Sequence, residues 1–415
     1  MSQGERINPA VLAWARESAG LEVEEAAHQI GLSKTTGPDR LMQFERGARL
    51  PTRSQLAKIA KTYRRPLLTF YRPNPPQTGD LGQDFRSRKQ NIPTRSKVLL
   101  EALLRNIKAR QEMVADILLD EDDVSRPQFV GSCALTDGVE TVASQISGDL
   151  GINENFSRVG GVDELFKRLR QRTEALGVFV LLVGDLGSHH SAIGEDVFRG
   201  FTFADKVAPF IIINDQDAKV ARSFTLLHEL THIYLGQSGV SGSPEDTEGD
   251  QEIEATERFC NDVASLILLP TDFAPKESIL FAPGDRKSAS AFIKEVSIKW
   301  SVSEPLIAFR LRRLGWINGS VYHDLNQMFA SRWKTHKVDT KAANRESEGG
   351  PDYYVVKQHR LGSALVEVTR RALRENRTTH TKAATILGVK PSSVENLIRS
   401  RVATRKAALA GGTRK

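Results

Sequence analysis

The stretch Ser223-Phe224-Thr225-Leu226-Leu227-His228-Glu229-Leu230-Thr231-His232-Ile233-Tyr234 decides how the rest of the chain is read. Two imidazoles four residues apart stand one helical turn apart on the same face, so both can reach one ion. Glu229, one residue after the first histidine, can lean over the open side of that ion and take a proton from a bound water. Phe224, Leu227 and Leu230 give the helix the apolar stripe that a buried site helix needs. The pattern assigns His228 and His232 as metal ligands and Glu229 as catalytic base. Zinc suits this mixture of nitrogen and oxygen donors and lowers the pKa of its bound water to about 7; manganese is the alternative metal.

A catalytic zinc takes a third protein ligand and keeps a fourth position open. No histidine follows His232 before His323, so a carboxylate from the next helix is the natural substitute. Glu245, Glu248, Glu252, Glu254 and Glu257 are the candidates, the first two in a glycine-rich polar stretch that anchors a ligand poorly. Glu257 is preferred because Asn261, four residues on, shares its face and could orient a ligating histidine. Glu254, one turn earlier, is the runner-up, and either could be an ordinary solvated charge.

Outward from this helix, Phe198 to Phe203 and Phe210 to Asn214 are β-rich, separated by a polar connection with Pro209, and Val178 to Val183 is an earlier strand. Asp215 is placed to cap a site helix beginning at Gln216. The strand Phe210 to Asn214 precedes the site helix and could accept a peptide at its edge, or be an ordinary buried strand. His189 and His190 could stabilise an oxyanion but read better as residues of an exposed loop. Tyr234 should pack away from the metal.

Before this core, short amphipathic runs with glycine stops at Gly20, Gly31 and Gly47 predict a compact helical bundle, and prolines between Pro66 and Pro76 break the periodicity. A long helix follows from Arg95 to about Leu119. After the core, Lys337 to Pro351 reads as a charged linker, and a helix, a glycine turn and a second helix recur between Tyr353 and Val402. The expected fold is α+β and mostly helical: a helix-turn-helix bundle (1–72), a linker (73–94), a zincin-like metallopeptidase domain with a small antiparallel sheet (95–336), a second linker (337–352), a helical module (353–403) and a basic tail (404–415). The helical module reads either as a structural cap on the peptidase domain or as a second helix-turn-helix in form.

The chain has 415 residues, 40% of them hydrophobic and 26% charged, with a net charge of +7. That composition excludes a disordered or fibrous protein. Only Cys133 and Cys260 are present, so no disulfide framework is expected, and no run approaches the length of a bilayer span. A cytoplasmic protein without membrane contact is the expectation. The positive balance fits contact with nucleic acid but equally a solvated basic surface.

The residues also resemble the ImmA/IrrE metallopeptidases. The likeness runs through Phe198-Arg199-Gly200-Phe201, Ala208 to Asn214, Ser223 to His232, and Glu257-Arg258-Phe259-Cys260-Asn261-Asp262-Val263-Ala264 up to Leu268-Leu269-Pro270. In that family the glutamate opening the last block is the third zinc ligand, which falls on Glu257. The first segment resembles an XRE/Cro-type helix-turn-helix, in Phe44-Glu45-Arg46-Gly47, Leu50-Pro51-Thr52 and Gln55 to Ala60. The resemblance implies regulated proteolysis of a transcriptional repressor of the same XRE type. One departure is the insertion of Gly37 and Pro38 where the turn leads into the recognition helix. If that helix still docks, Lys34, Thr35, Thr36, Arg40 and Gln43 are the expected DNA contacts, and the other reading is a module used for protein contact. The rival to a zinc endopeptidase is a non-proteolytic DNA-binding regulator that uses the peptidase fold as sensor or scaffold.

Overall fold

The computed structural model describes residues 7–76, 93–120, 126–153, 156, 160–187, 191–241, 251–273, 282–346 and 352–399. Four short helices open the chain: α1 (Pro9–Glu17), α2 (Val23–Ile30), α3 (Gly37–Glu45) and α4 (Arg53–Thr62). Their starts follow local chemistry. The Asn8 side chain accepts from the Ala10 amide at the head of α1, and Thr52 with Gln55 forms a reciprocal capping box on α4. Gly31 ends α2 at φ +79°, a conformation that favours glycine. Val11, Leu12, Ala27, Leu41, Phe44, Leu56 and Ile59 close into a core of their own. Arg16 on α1 forks onto Glu45 of α3 at 2.8 and 3.1 Å, which gives the Glu45 of the Phe44–Gly47 block a structural task. The insertion lengthens the turn between α2 and α3 to six residues, 31–36, and α3 starts on Gly37 and Pro38.

From α5 (Thr94–Leu119) onward the chain is organised on a sheet of four strands, β1 (Phe179–Leu182), β2 (Gly200–Phe203), β3 (Phe210–Ile213) and β4 (Gly239–Ser241), in the order β1-β3-β2-β4. The first three are buried at every position, as strands covered on both faces must be. The sheet is mixed, which corrects the antiparallel expectation. β2 pairs antiparallel with β3 and β4, but β1 runs parallel to β3, with Phe179 opposite Phe210. β3 lies between β1 and β2, and the parallel sense of β1 and β3 is something the alternation of apolar residues does not encode.

The period of two divides the strand residues between two cores. Val180, Leu182, Ile211 and Ile213 join the core built with α6 (Val139–Leu150), α7 (Gly161–Ala175), α8 (Arg222–Tyr234), α9 (Gln251–Leu268), α10 (Arg286–Trp300), α11 (Glu304–Arg313) and α12 (Gly319–Glu346). Phe179, Leu181, Phe201, Phe203, Phe210 and Ile212 join the opposite core, made with α5 and with α13 (Tyr353–Leu361), α14 (Ser363–Arg374), α15 (His380–Leu387) and α16 (394–399). Helices cover both faces of the sheet.

The expected linker 337–352 is helical as far as Glu346, because α12 continues through it. The site helix starts at Arg222 and not at Gln216. Asn214 holds the backbone of Ile193, Gly194 and Phe198 through its amide and takes the Gln216 amide on its carbonyl oxygen, and a single 3₁₀ turn, Lys219–Ala221, precedes α8.

The helices of the far face are tied to α7 by one buried pair. Arg170 donates to the carbonyls of His359 and Arg360 at the end of α13 and of Val180 in β1. Glu174, one turn later and 3.2 Å from Arg170, accepts from the amides of Ser363 and Ala364 and from the Ser363 hydroxyl, at the start of α14. A cation at a helix C-terminus and an anion at a helix N-terminus are each favoured by the helix dipole. The corner between the two helices is Gly362, at φ +82°, where a Cβ would lie 2.7 Å from the Val180 carbonyl.

Candidate metal centre

α8 is buried continuously from Thr225 to Tyr234. It is therefore covered all round, between β2, β3, α7 and α9, and its apolar residues do not form a single stripe with a wet opposite side. A helix in that position must satisfy its polar groups locally. Tyr234, expected to pack away from the metal, stacks on Phe129 and donates to Asp149 at 2.6 Å.

His228 and His232 meet through their Nε2 atoms, 3.2 Å apart, and Glu257 of α9 closes the triangle. Its Oε2 is 3.3 Å from His228 Nε2 and its Oε1 3.1 Å from His232 Nε2. All three side chains are buried. Donors held at 2.0–2.1 Å around a tetrahedral ion are about 3.3 Å from one another, so the triangle has the edge length that such an ion requires. Burial would raise the Glu257 carboxyl, but the charges and hydrogen bonds of His228 and His232 hold it well below the usual carboxylate range. An ionised oxygen facing two ring nitrogens is the donor set of a metal site, and these residues could hold one.

Glu254, the runner-up, is turned away and pairs with Arg258 at 2.6 Å. Glu245, Glu248, the Glu252 side chain, His189 and His190 lie outside the described residues. Asn261 is buried on α9 but makes no hydrogen bond to either imidazole among the described residues; it lines a cleft beside them.

Glu229, fully buried, lies against β2. The residues of β2 that face it are small. Thr202 donates to the Glu229 carbonyl at 3.3 Å, and a Cβ on Gly200 would come within 2.5 Å of the Glu229 carboxylate. Gly200 thus allows the helix and its carboxylate to approach the sheet. In the sequence Gly200 stands out only within the Phe198–Phe201 likeness, although a glycine inside a strand is a signal of close backbone approach.

The cleft, about 790 Å³, opens past Phe224, whose ring is 6.1 Å from that of His228. Phe309 of α11 and Tyr322, Phe329 and Trp333 of α12 give it aromatic walls, and Glu195, Arg199 and Asp217 give it polar ones. Trp333 spans the cleft to donate to Glu195 at 3.2 Å. Burial raises the Asp217 carboxyl, opposed by the nearby Arg199 and by the Ala218 amide. Of the cleft residues, Phe224 lies in the motif stretch and Asn261 on the next helix; the others come from separate segments of the chain, for which the metal motif carries no signal.

β3 is hydrogen-bonded on both sides, by β1 and β2, so the expectation that it offers an edge to a peptide is corrected. Lys34, Thr35, Thr36 and Gln43 are exposed on the N-terminal bundle and Arg40 is partly so. Among the described residues no helix is long and apolar enough to cross a membrane.

No curated protein and no solved structure matches the chain. Residues 189–312, which contain the whole of β2, β3, α8 and α9 and therefore His228, Glu229, His232 and Glu257, match the Peptidase M78 family model, described as the IrrE N-terminal-like domain.

Proposed function

We propose that the protein is a zinc-dependent endopeptidase, with His228, His232 and Glu257 as metal ligands and Glu229 as the base. The observation that carries this reading is the buried triangle of donors at 3.1–3.3 Å with Glu229 on the same helix. The match of the same segment to a peptidase family supports it. When bound, zinc polarises the scissile carbonyl and lowers the pKa of a water to near neutrality. Glu229 takes the proton from that water and later passes it to the leaving amine. Gly200 and Thr202 hold the base in register with the sheet, and the aromatic walls of the cleft exclude water from the residues that flank the scissile bond. Manganese could occupy the same donors.

With β3 paired on both sides, the outer strands among the described residues are β1 and β4, and β4, which follows α8 directly, is the one we assign to an extended peptide. A protein substrate is therefore the natural class. The likeness of the N-terminal segment to XRE-type modules supports a regulatory substrate, a repressor of that type, in the cytoplasm, with Lys34, Thr35, Thr36, Arg40 and Gln43 as DNA contacts of the N-terminal bundle. The rival reading, a non-proteolytic DNA-binding regulator, uses the peptidase fold as sensor or scaffold with zinc retained or lost, and has no use for the base.

Incubating zinc-loaded protein with XRE-type repressors tests the proposal. Cleavage by the wild type and none by Glu229→Gln supports an endopeptidase; identical behaviour of the two, with no cleavage of any candidate, supports the regulator.

A further inference from the structure

The positive charge of this chain is concentrated at one end. Between Arg370 and Lys415 there are twelve basic and two acidic side chains, a balance of +10 in a chain whose total is +7, so the preceding 369 residues are net −3. The described part of that end is the last turn of α14 and a pair of helices joined by a short turn, of which the pair carries Lys382, Lys390 and Arg399 against Glu395. α15 is capped by Thr379, which accepts from the Lys382 amide at 3.2 Å, and it ends at Gly388 with φ +60°. Three residues, 388–390, separate it from the helical turn Pro391–Ser393, which runs directly into α16. Two helices joined by three or four residues that include a glycine have the connection found in DNA-reading pairs.

The burial pattern leaves one face of this pair available. Ala383, Ala384, Ile386 and Leu387 on α15 and Val394, Leu397 and Ile398 on α16 are buried in the core shared with α5 and the sheet. Lys382, Lys390 and Ser392 are exposed on the other side, as are Glu395, Asn396 and Arg399 of α16. Lys382 and Lys390 make no ion pair among the described residues, and Arg399, on the surface, pairs with Glu395 at 3.3 Å. The module is also held in place, because Arg170 and Glu174 grip the corner between α13 and α14 and Arg360 bridges Asp185 and Asp215. A fixed basic face loses little freedom when it docks.

We propose that α15 and α16 bind duplex DNA, with α16 entering the major groove, Lys382, Lys390 and Arg399 on phosphates and Ser392 at base edges. The chemistry favours duplex DNA over RNA. The major groove of B-form DNA, about 12 Å wide, admits a helix, whereas that of A-form RNA does not. Single strands are usually held by stacking bases on several aromatic rings, and neither α15 nor α16 carries one; the rings at this surface are those of Tyr353 and of Tyr354, whose hydroxyl accepts from Asn396 at 3.2 Å.

The test is fluorescence anisotropy of the full zinc-loaded chain with a labelled 30-base-pair duplex and with single-stranded RNA of equal length, over a range of salt. The expected result is duplex binding whose affinity falls linearly on a log–log salt plot. Replacing Lys382, Lys390 and Arg399 together by Glu should weaken it at least roughly tenfold and flatten the salt slope by about three units. Arginine at both lysines should retain binding. Since all three positions are exposed, unchanged melting and zinc content will show that the Glu variant is folded. The proposal is overturned if that variant binds as the wild type does, if binding is lost only on changing Lys34 and Arg40, or if RNA binds as tightly as the duplex.

Discussion

The two faces of the central sheet are built from the same three strands and put to different uses. The face toward α5 and α13–α16 presents Phe179, Leu181, Phe201, Phe203, Phe210 and Ile212, large side chains that fill space and carry no chemistry. Toward α8, β2 presents Gly200 and Thr202, small residues that admit a buried carboxylate between helix and strand. A sheet can therefore place a reactive group in its interior only where one strand gives up side-chain volume. The far face should govern stability, and the near face should govern turnover at nearly constant stability.

The largest expected effect lies on the near face. Glu229→Gln keeps the shape of the base and removes its basicity, so peptide cleavage should fall by about 10²–10⁴-fold while melting temperature and bound metal stay the same. A comparable loss of metal in this variant would show that Glu229 serves the ion and not the proton.

Next comes the buried pair that joins the two sides. Arg170→Ala leaves Glu174 buried without its cation and frees the carbonyls of His359 and Arg360, and should cost about 3–5 kcal/mol in chemical denaturation. If stability is unchanged and cleavage is lost instead, the division of labour between the faces is wrong.

Gly200→Ala sharpens the comparison at its narrowest point. The added methyl must displace the Glu229 carboxylate, and a displacement on the order of 1 Å can cost up to about 10²-fold in rate. Zinc content should not change. Equal activity would mean that the carboxylate can yield without consequence.

The smallest effect concerns pH. Lys357 on α13 is pushed down to about 8, first by burial and then by Arg110 and Arg360, against its ordinary value of 10.5. The unfolded chain then binds more protons than the folded one between those two values, so this residue makes stability rise as pH increases through that window, and its burial costs stability below pH 8. Lys357→Met should remove that rise and stabilise the protein by about 1 kcal/mol near neutral pH. Melting temperatures between pH 7 and 10 give the answer, and an unchanged slope would show that the ammonium remains solvated.

The contrast between the faces also explains what could be read from the sequence. The meeting of His228 and His232 was legible because a helix places residues i and i+4 on one face. The sequence preferred Glu257 for the spacing of Asn261; that Glu257 and not Glu254 sits beside the two imidazoles depends on the packing of α8 on α9, which turns Glu254 outward to Arg258. The three longer strands were legible from their apolar runs, but the parallel pairing of β1 was not, since side-chain alternation is the same in either direction. β4 was missed because three residues, Gly239 to Ser241, are too few to show a period. The start of α8 was misplaced because Asp215 is a good helix cap in isolation, whereas Asn214 engages three carbonyls nearby and delays the helix to Arg222. The cleft and the Arg170–Glu174 grip depend on residues far apart in sequence, for which local pattern carries no signal.

The most direct test of the metal centre is the zinc content of purified wild type, Glu257→Gln and Glu254→Gln, measured by atomic spectrometry after dialysis. The account predicts about one zinc per chain in the wild type and in Glu254→Gln, and its loss from Glu257→Gln. Retention of zinc by Glu257→Gln, or its loss from Glu254→Gln, would contradict it.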